Sequence, residues 1–526
     1  MLSILAAIQS SLPYIPNWAQ LQPFVAELIL IGTIVAVLLS AFFAKRTNVT
    51  AGLITLAGLL AALVALLIVQ PLQPGLQLRG MLVSDSFAVL WKILLLVFVA
   101  GIVLMWFSTT ASTMHEGDGP EFFTLLLGAT TGMCLMASTS NLLMIFLAME
   151  LSSLPSYVLA GFRKTDPIGS EASLKYVLFG AATSSVMVYG LSMLYGLYGT
   201  LQLEVLAPKL SQAGGIPLVL AVTGIIVGVG FKISAVPFHF WCPDVFEGAG
   251  VDVSAFLSVA SKGAGLTLLL RVLMTLAQPL GYAASDILTP IALIIGLLGA
   301  ITCTVGNTAA YVQTNIKRLL AYSSIAHAGY MLCVLSLVVN GHSTQSTDQA
   351  SIAAQAILVY LAVYLFMNLG AFTVAGLIYR ATGSENIDDY AGLGRRNPLL
   401  SACMAVCLFS LVGLPPFAGF AAKLNIMYVL GQNGSWWWIL VAVIGINTVF
   451  SLYYYVRVLR VMYLVESDRA PIAVHPLGIA LTTGCATMLI LMLLAFGPLW
   501  QLAKQYAKLQ LPAPAETAQM VVRGSR

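Results

Sequence analysis

Runs of about twenty apolar residues recur along nearly the whole of this 526-residue chain, with few charges between them. Each run, coiled as a helix, is long enough to cross roughly 30 Å of hydrocarbon. Lipid offers the backbone no hydrogen-bond partners, so only helices or a closed barrel can span it. Continuous apolar runs, rather than ten-residue alternation, select helices. With 59% hydrophobic and 8% charged residues, the chain lacks the polar surface that a water-soluble domain of this length needs. The sequence therefore reads as an all-α polytopic membrane protein.

About fourteen spans are predicted, near 22–43, 50–70, 85–108, 121–138, 141–161, 171–198, 216–240, 252–277, 287–309, 320–340, 352–378, 398–425, 434–458 and 473–500. Loops after odd-numbered spans carry Lys45, Arg46, Arg163, Lys164, Lys317, Arg318, Arg380, Arg395, Arg396, Arg460 and Arg469, whereas those after even-numbered spans hold little beyond Arg79 and Lys209. By the positive-inside rule odd loops face the cytoplasm and both termini lie on the other side. The loop after span 7 is instead acidic, with Asp244, Glu247 and Asp252. The resulting division is an N-terminal non-cytoplasmic segment (1–21), helices 1–3 (22–110), helices 4–8 (120–278), helices 9–13 (286–460), helix 14 (470–503) and a C-terminal tail (504–526).

A net charge of +4 gives no footprint for nucleic acid. The seven cysteines form no CxxC pair, and Cys403 and Cys407 read as packing residues in an apolar run. The sequence shows no GxGxxG fingerprint, P-loop, haem-attachment motif or iron–sulfur spacing, so any redox cofactor is expected in another protein. The opening MLSILAAIQSSLPYIPNW lacks the basic region of a signal peptide.

A charge at the bilayer centre costs about 2.5–3.5 kcal/mol on insertion scales, so each one asks for a reason. Glu150, Lys232, Lys262 and Lys423 lie well inside spans, several beside small residues that leave room for water. Proton relay is the reading for these four. Lys175, about one turn inside its span, is a further proton-relay candidate, and for it as for Arg271 a static interhelical pair or snorkelling stays open. Glu27, Asp85 and Lys92 sit near span ends and read as anchoring or packing residues. His327, beside Ser323 and Ser324, is either a hydrogen-bonded structural residue or a relay; an imidazole's ordinary pKa, about 6.5, suits proton exchange. His239 is placed at a broken helix end, and His115 and His342 in loops.

Two spans are broken by proline: span 7 at Pro237, and span 12 at Pro415–Pro416 followed by Gly419. Proline frees carbonyls in the preceding turn, which then need water or side chains. Two Pro-interrupted, lysine-bearing spans at matching places mark an inverted-repeat transporter. Spans 4–8 and 9–13 form two such repeats, and five spans per repeat forces opposite polarity. Glu150 next to Lys232 would let that lysine load a proton and pass it toward Lys262.

The segments MELSSLPSYVLAGF, EASLKYVLFGAATSS, GFKISAVPFHFWCPDVFEGA, AFLSVASKGAG, IKRLLAYSSIAHAGYM, MNLGAF, ENIDDYAGLGRRNP and SLVGLPPFAGFAAKL together resemble the antiporter-like membrane subunits of respiratory complex I, the proton-pumping NADH:quinone oxidoreductase, most closely the subunit N type. GVDV after FEGA departs from the proline-containing family version. The resemblance implies that Glu150 is the helix-5 glutamate, Lys232 the lysine of broken helix 7, Lys262 the central helix-8 lysine and Lys423 the far element on broken helix 12. It implies a non-redox translocase subunit in the bacterial cell (inner) membrane, with other membrane subunits as partners. NADH, FMN, iron–sulfur clusters and quinone are then expected in or at partner subunits, the quinone-reducing module being only an indirect partner. Alternatives are a subunit of a multisubunit cation/proton antiporter or membrane-bound hydrogenase, or a passive scaffold whose buried charges pair statically.

Overall fold

A computed structural model describes residues 16–507 apart from 44–46, 69–74, 164–165, 211–214, 278–284, 344–346 and 468. Lys45, Arg46 and Lys164, and most of the expected terminal segments, lie outside the described residues. The chain is built of helices α1 (Val25–Phe43), α2 (Thr47–Ile68), α3 (Ser86–Thr109), α4 (Gly119–Ser138), α5 (Leu142–Ala160), α6 (Pro167–Tyr198), α7 (Ile216–Ile233) and α8 (Trp241–Gly248). These are followed by α9 (Val251–Ala277), α10 (Ser285–Ala310), α11 (Ile316–Ser343), α12 (Thr347–Thr382), α13 (Pro398–Val412), α14 (Ala418–Gly431), α15 (Ser435–Leu464), α16 (Pro476–Leu494) and α17 (Phe496–Tyr506). A small antiparallel ribbon, β1 (Gly75–Gln77) and β2 (Leu82–Ser84), joins α2 to α3, with Gly75 opposite Ser84.

Local chemistry starts many of these helices. Asp85, Asn141, Asp166 and Asn397 accept hydrogen bonds from first-turn amides of α3, α5, α6 and α13, and Pro167 and Pro398 open α6 and α13. Such caps satisfy donors that lipid cannot. Gly199, at φ +67°, closes α6 in the left-handed region that favours glycine.

Among the described residues thirteen helical segments are long and apolar enough to cross a membrane, and the apolar pair α13 and α14 are shorter. Span 12, expected as one interrupted helix over 398–425, is thus two helices, and span 7 stops at Ile233 rather than 240. Asp244 and Glu247, expected in a loop, lie on α8, because the chain resumes helical form at Trp241. Helix also continues past 503 to Tyr506, and His342, expected in a loop, falls within α11.

The interior is formed by α9, α11 and α12, which are almost wholly buried, whereas α6 is mostly exposed. This gradient explains the sequence pattern: outer helices turn Leu, Val and Ile outward, while the inner ones hold the hydroxyls, tyrosines and amines. Close backbone approach helps: a Cβ at Gly299 of α10 would stand 2.7 Å from the Cys333 amide nitrogen of α11, and one at Gly306 2.6 Å from that of Ala326. Small residues at such crossings replace the hydrophobic drive that lipid cannot supply.

Candidate functional site

The break between α7 and α8 has specific partners. Ser234, at φ +61°, terminates α7. The Phe231 carbonyl accepts from the Trp241 indole at 3.1 Å, and the Val236 amide donates to Thr302 Oγ1 of α10 at 3.0 Å. Tyr176 of α6 stacks on Trp241 with ring centroids 4.3 Å apart. Lys232, two residues before this stop, is buried and donates to Ser153 Oγ of α5 at 3.0 Å. Glu150 lies one turn before Ser153 on α5, half-buried, and accepts a hydrogen bond from Ser184 of α6. Among the described residues no hydrogen bond or ion pair joins Glu150 directly to Lys232. Ser153 stands between them, at helical spacing from one and within reach of the other.

Lys262 sits in the middle of α9, immediately after a π-helical turn over Leu257–Ser261. Such turns shift the register of the side chains that follow and are frequent at functional sites. Its Nζ donates to Ser324 Oγ of α11, lies 3.4 Å from Cys242 Sγ of α8 and 5.4 Å from the centre of the Phe246 ring. Lys232 packs against this helix one turn on: a Cβ at Gly265 would stand 3.3 Å from Lys232 Cγ. Glycine at 265 is what lets the two lysine-bearing helices come together.

From Ser324 the row continues along α11. His327 Nδ1 is 2.7 Å from the Tyr360 hydroxyl of α12, and its ring lies 5.1 Å from that of Tyr364 and 5.6 Å from that of Tyr330. Lys423 of α14 holds its Nζ 4.8 Å from the Tyr330 ring centre. The same amine donates to the Leu411 and Val412 carbonyls at 2.9 and 2.8 Å. These are the carbonyls left free where α13 stops at Gly413, so the lysine satisfies the break itself. The Gly419 amide donates to Ser410 Oγ at 3.1 Å across the same gap. Ser153 thus links Lys232 to the Glu150 turn of α5, Ser324 links Lys262 to the helix of His327, and Tyr330 lies beside both His327 and Lys423; the Lys232 and Lys262 groups meet by packing at Gly265.

Other charges are placed elsewhere. Lys175 pairs with Glu171 and Asp244, both at 2.8 Å, and Asp244 also binds Arg318, which reaches Glu247 at 2.6 Å. The structure does not bring Lys175 against Glu150 or Lys232. Arg271 and Asp85 form a buried bidentate pair, with contacts of 2.9 and 2.7 Å, and Arg271 Nε donates to the Ala137 carbonyl. Lys92 and Glu27 pair at 2.6 Å between α3 and α1. His239 is buried in the break, its ring 4.5 Å from that of Phe240. Ser153, Ser184, Tyr330, Tyr360 and Cys242 carry no mark in the sequence, since a serine, tyrosine or cysteine in a span has no insertion cost that singles it out. Ser324 was legible beside His327. Among the described residues no group of three or more His, Cys, Asp or Glu side chains is arranged to hold a metal ion.

Residues 139–451 match the family described as NADH:quinone oxidoreductase/Mrp antiporter, transmembrane. Subunit N of NADH-quinone oxidoreductase from Anaeromyxobacter sp. (strain Fw109-5) is 41% identical over 494 residues, 89% of this chain and 92% of the relative. Subunit N 2 of the same enzyme from Sorangium cellulosum is 40% identical over 502 residues, covering 92% and 96% of the two chains. A chain of respiratory complex I from Thermus thermophilus superposes with a TM-score of 0.74 at 32% identity, over 91% of this chain and 99% of that one. A chain of the Mrp complex from Dietzia sp. has a TM-score of 0.76 at 18% identity, with 93% and 97% covered, and shows a shared fold. Sequence and fold agree: the chain belongs to the antiporter-like transmembrane family that includes subunit N of NADH:quinone oxidoreductase.

Proposed function

We propose that this chain translocates protons as a membrane subunit of a quinone-reducing complex, with Glu150, Lys232, Lys262, His327 and Lys423 as the relay. The observation that carries this reading is a succession of buried contacts: Lys232 on Ser153, Lys262 on Ser324, His327 on Tyr360 and Lys423 beside Tyr330. Serine both gives and takes hydrogen bonds, so Ser153 and Ser324 can serve an adjacent lysine in its charged or its neutral form. Internal water bridges the remaining gaps, among them the step from Lys232 to Lys262. Glu150 tunes Lys232 through Ser153, and Lys423, docked on broken-helix carbonyls, ends the row. Lys175 works at the outer cluster with Asp244.

In this reading segments 120–278 and 286–460 are the two inverted repeats, the chain lies in a bacterial inner membrane with both termini outside the cytoplasm, and no redox centre belongs to it. NADH and quinone, which the relatives' names carry, then act at partner subunits, together with the FMN and iron–sulfur clusters that the resemblance implies. The test is proton flux driven by quinone reduction in vesicles holding the assembled complex. Lys262→Ala and Lys232→Ala are expected to cut flux by roughly a hundredfold, the scale of a positioned proton-transfer group. Parental flux in either assembled variant refutes the relay, and parental flux in both favours a passive scaffold.

A further inference from the structure

The relay from Glu150 to Lys423 fills the middle of the bundle and leaves open how a proton reaches the solvent at the end opposite Lys175, Asp244 and Arg318. At that end α6 finishes at Gly199, and the chain pairs across the start of α5: the Leu142 amide donates to the Leu201 carbonyl and the Leu203 amide to the Ser140 carbonyl. It then forms a one-turn helix, Leu203–Leu206, packed on the second half of α9. That helix carries Glu204. Both of its carboxylate oxygens are buried, and neither accepts a hydrogen bond from another residue among those described. A buried carboxylate without donors is costly, and one that gains a proton escapes the penalty.

The surroundings show which charges act on it. On α9, Arg271 favours the ionised carboxylate, but its guanidinium is held by Asp85, the cap of α3, and by the Ala137 carbonyl at the end of α4. Lys209, a turn further along, gives its amine to the Tyr198 carbonyl, and Arg79 lies on the turn whose carbonyl accepts the Gln202 side-chain amide. None of these offers Glu204 an ion pair. Burial therefore dominates and lifts its carboxyl to about 7, against the smaller opposing pull of its own backbone amide and Arg271. Lys262 is nine residues before Arg271 on the same helix, about 13 Å at 1.5 Å per residue. Thr267 and Thr275, both buried, lie on the intervening and following turns.

We propose that Glu204 is the proton-exchange carboxyl at this end of the bundle, taking protons from the Lys262 side of the relay and handing them to the solvent. The assignment rests on the proton-relay reading. It adds a residue that no charge-in-span argument selects, because Glu204 lies between spans.

The test is quinone-driven proton flux against pH in vesicles carrying the whole complex, comparing the parent with Glu204→Gln, Glu204→Asp and Lys262→Ala. Glu204→Gln is expected to lower flux roughly tenfold or more and to remove an ionisation near neutral pH from its pH profile. Glu204→Asp is expected to restore flux in part, with the midpoint moved. Parental flux and pH profile in Glu204→Gln, while Lys262→Ala is inactive, overturns this inference alone; parental flux in Lys262→Ala overturns the relay reading itself. If Glu204→Gln fails to assemble, Glu204→Asp decides: an unmoved midpoint means that the side chain only packs, and overturns the proposal.

Discussion

Removing the carboxylate of Asp85 should strongly destabilise the chain. Its two oxygens take both terminal nitrogens of Arg271, at 2.9 and 2.7 Å, and one of them also accepts the Ala88 amide at 2.9 Å to cap α3. Both side chains are essentially shut off from the surface, at 0% and 1% exposure. Asp85→Ala leaves a guanidinium, which cannot shed its proton, with the Ala137 carbonyl as its remaining polar partner. Breaking a buried pair from one side costs about 3–5 kcal/mol, and loss of the cap adds about 1 kcal/mol. Arg271→Leu alone should cost a similar amount, because it strands the carboxylate. The double variant Asp85→Ala/Arg271→Leu removes both charges and should recover all but the cap and a packing defect, which leaves it about 3 kcal/mol more stable than Asp85→Ala. At about 1.36 kcal/mol per decade, that difference between the two variants is roughly a hundredfold in the population of locally opened chain. Limited proteolysis of the purified complex reads that population when reclosing is fast. Single variants as resistant as the parent, or a double variant no more resistant than the weaker single, would show that the pair does not clamp α3 to α9.

Three further outcomes follow from the geometry. Lys423→Met strips the donor from the Leu411 and Val412 carbonyls, about 1–3 kcal/mol for each orphaned group, so thermal inactivation of the complex should quicken; unchanged inactivation kinetics would contradict the capping role. Ser153→Ala removes the hydroxyl between Lys232 and Glu150 and should lower flux while leaving assembly intact, as judged by native gel and vesicle assay; full flux would place the Glu150–Lys232 coupling elsewhere. The Ser384 hydroxyl and, next, Arg469 hold the Asp389 carboxyl below its ordinary value. The stability this gives the 384–396 segment is present above a pH of about 3.9 and is lost as pH falls through the lower folded value. Hydrogen exchange across that segment should rise at acid pH in the parent, with the pH dependence gone in Asp389→Asn.

The approximate places of the spans, the two breaks and the five central charged or titratable side chains were legible in the linear sequence, for a physical reason. Crossing a bilayer is a requirement on twenty neighbouring residues, and a charge in mid-span is expensive whatever stands beside it. Proline at 237 and at 415–416 likewise breaks its own helix without reference to the rest of the chain. The partners were not legible. Ser153 lies 79 residues from Lys232, Ser324 lies 62 from Lys262, and Asp85 lies 186 from Arg271. No local pattern links such positions, because only the packing of α9, α11 and α12 against their neighbours brings them together. Tertiary structure likewise decided that Lys175 turns to Asp244 and away from Glu150, that Asp244 and Glu247 after the first break ride on α8, and that Lys423 caps its own broken helix. It also buried Glu204, a residue that looks solvated in the sequence because it follows the end of a span; only the fold of the 199–206 return against α9 takes its carboxylate out of water.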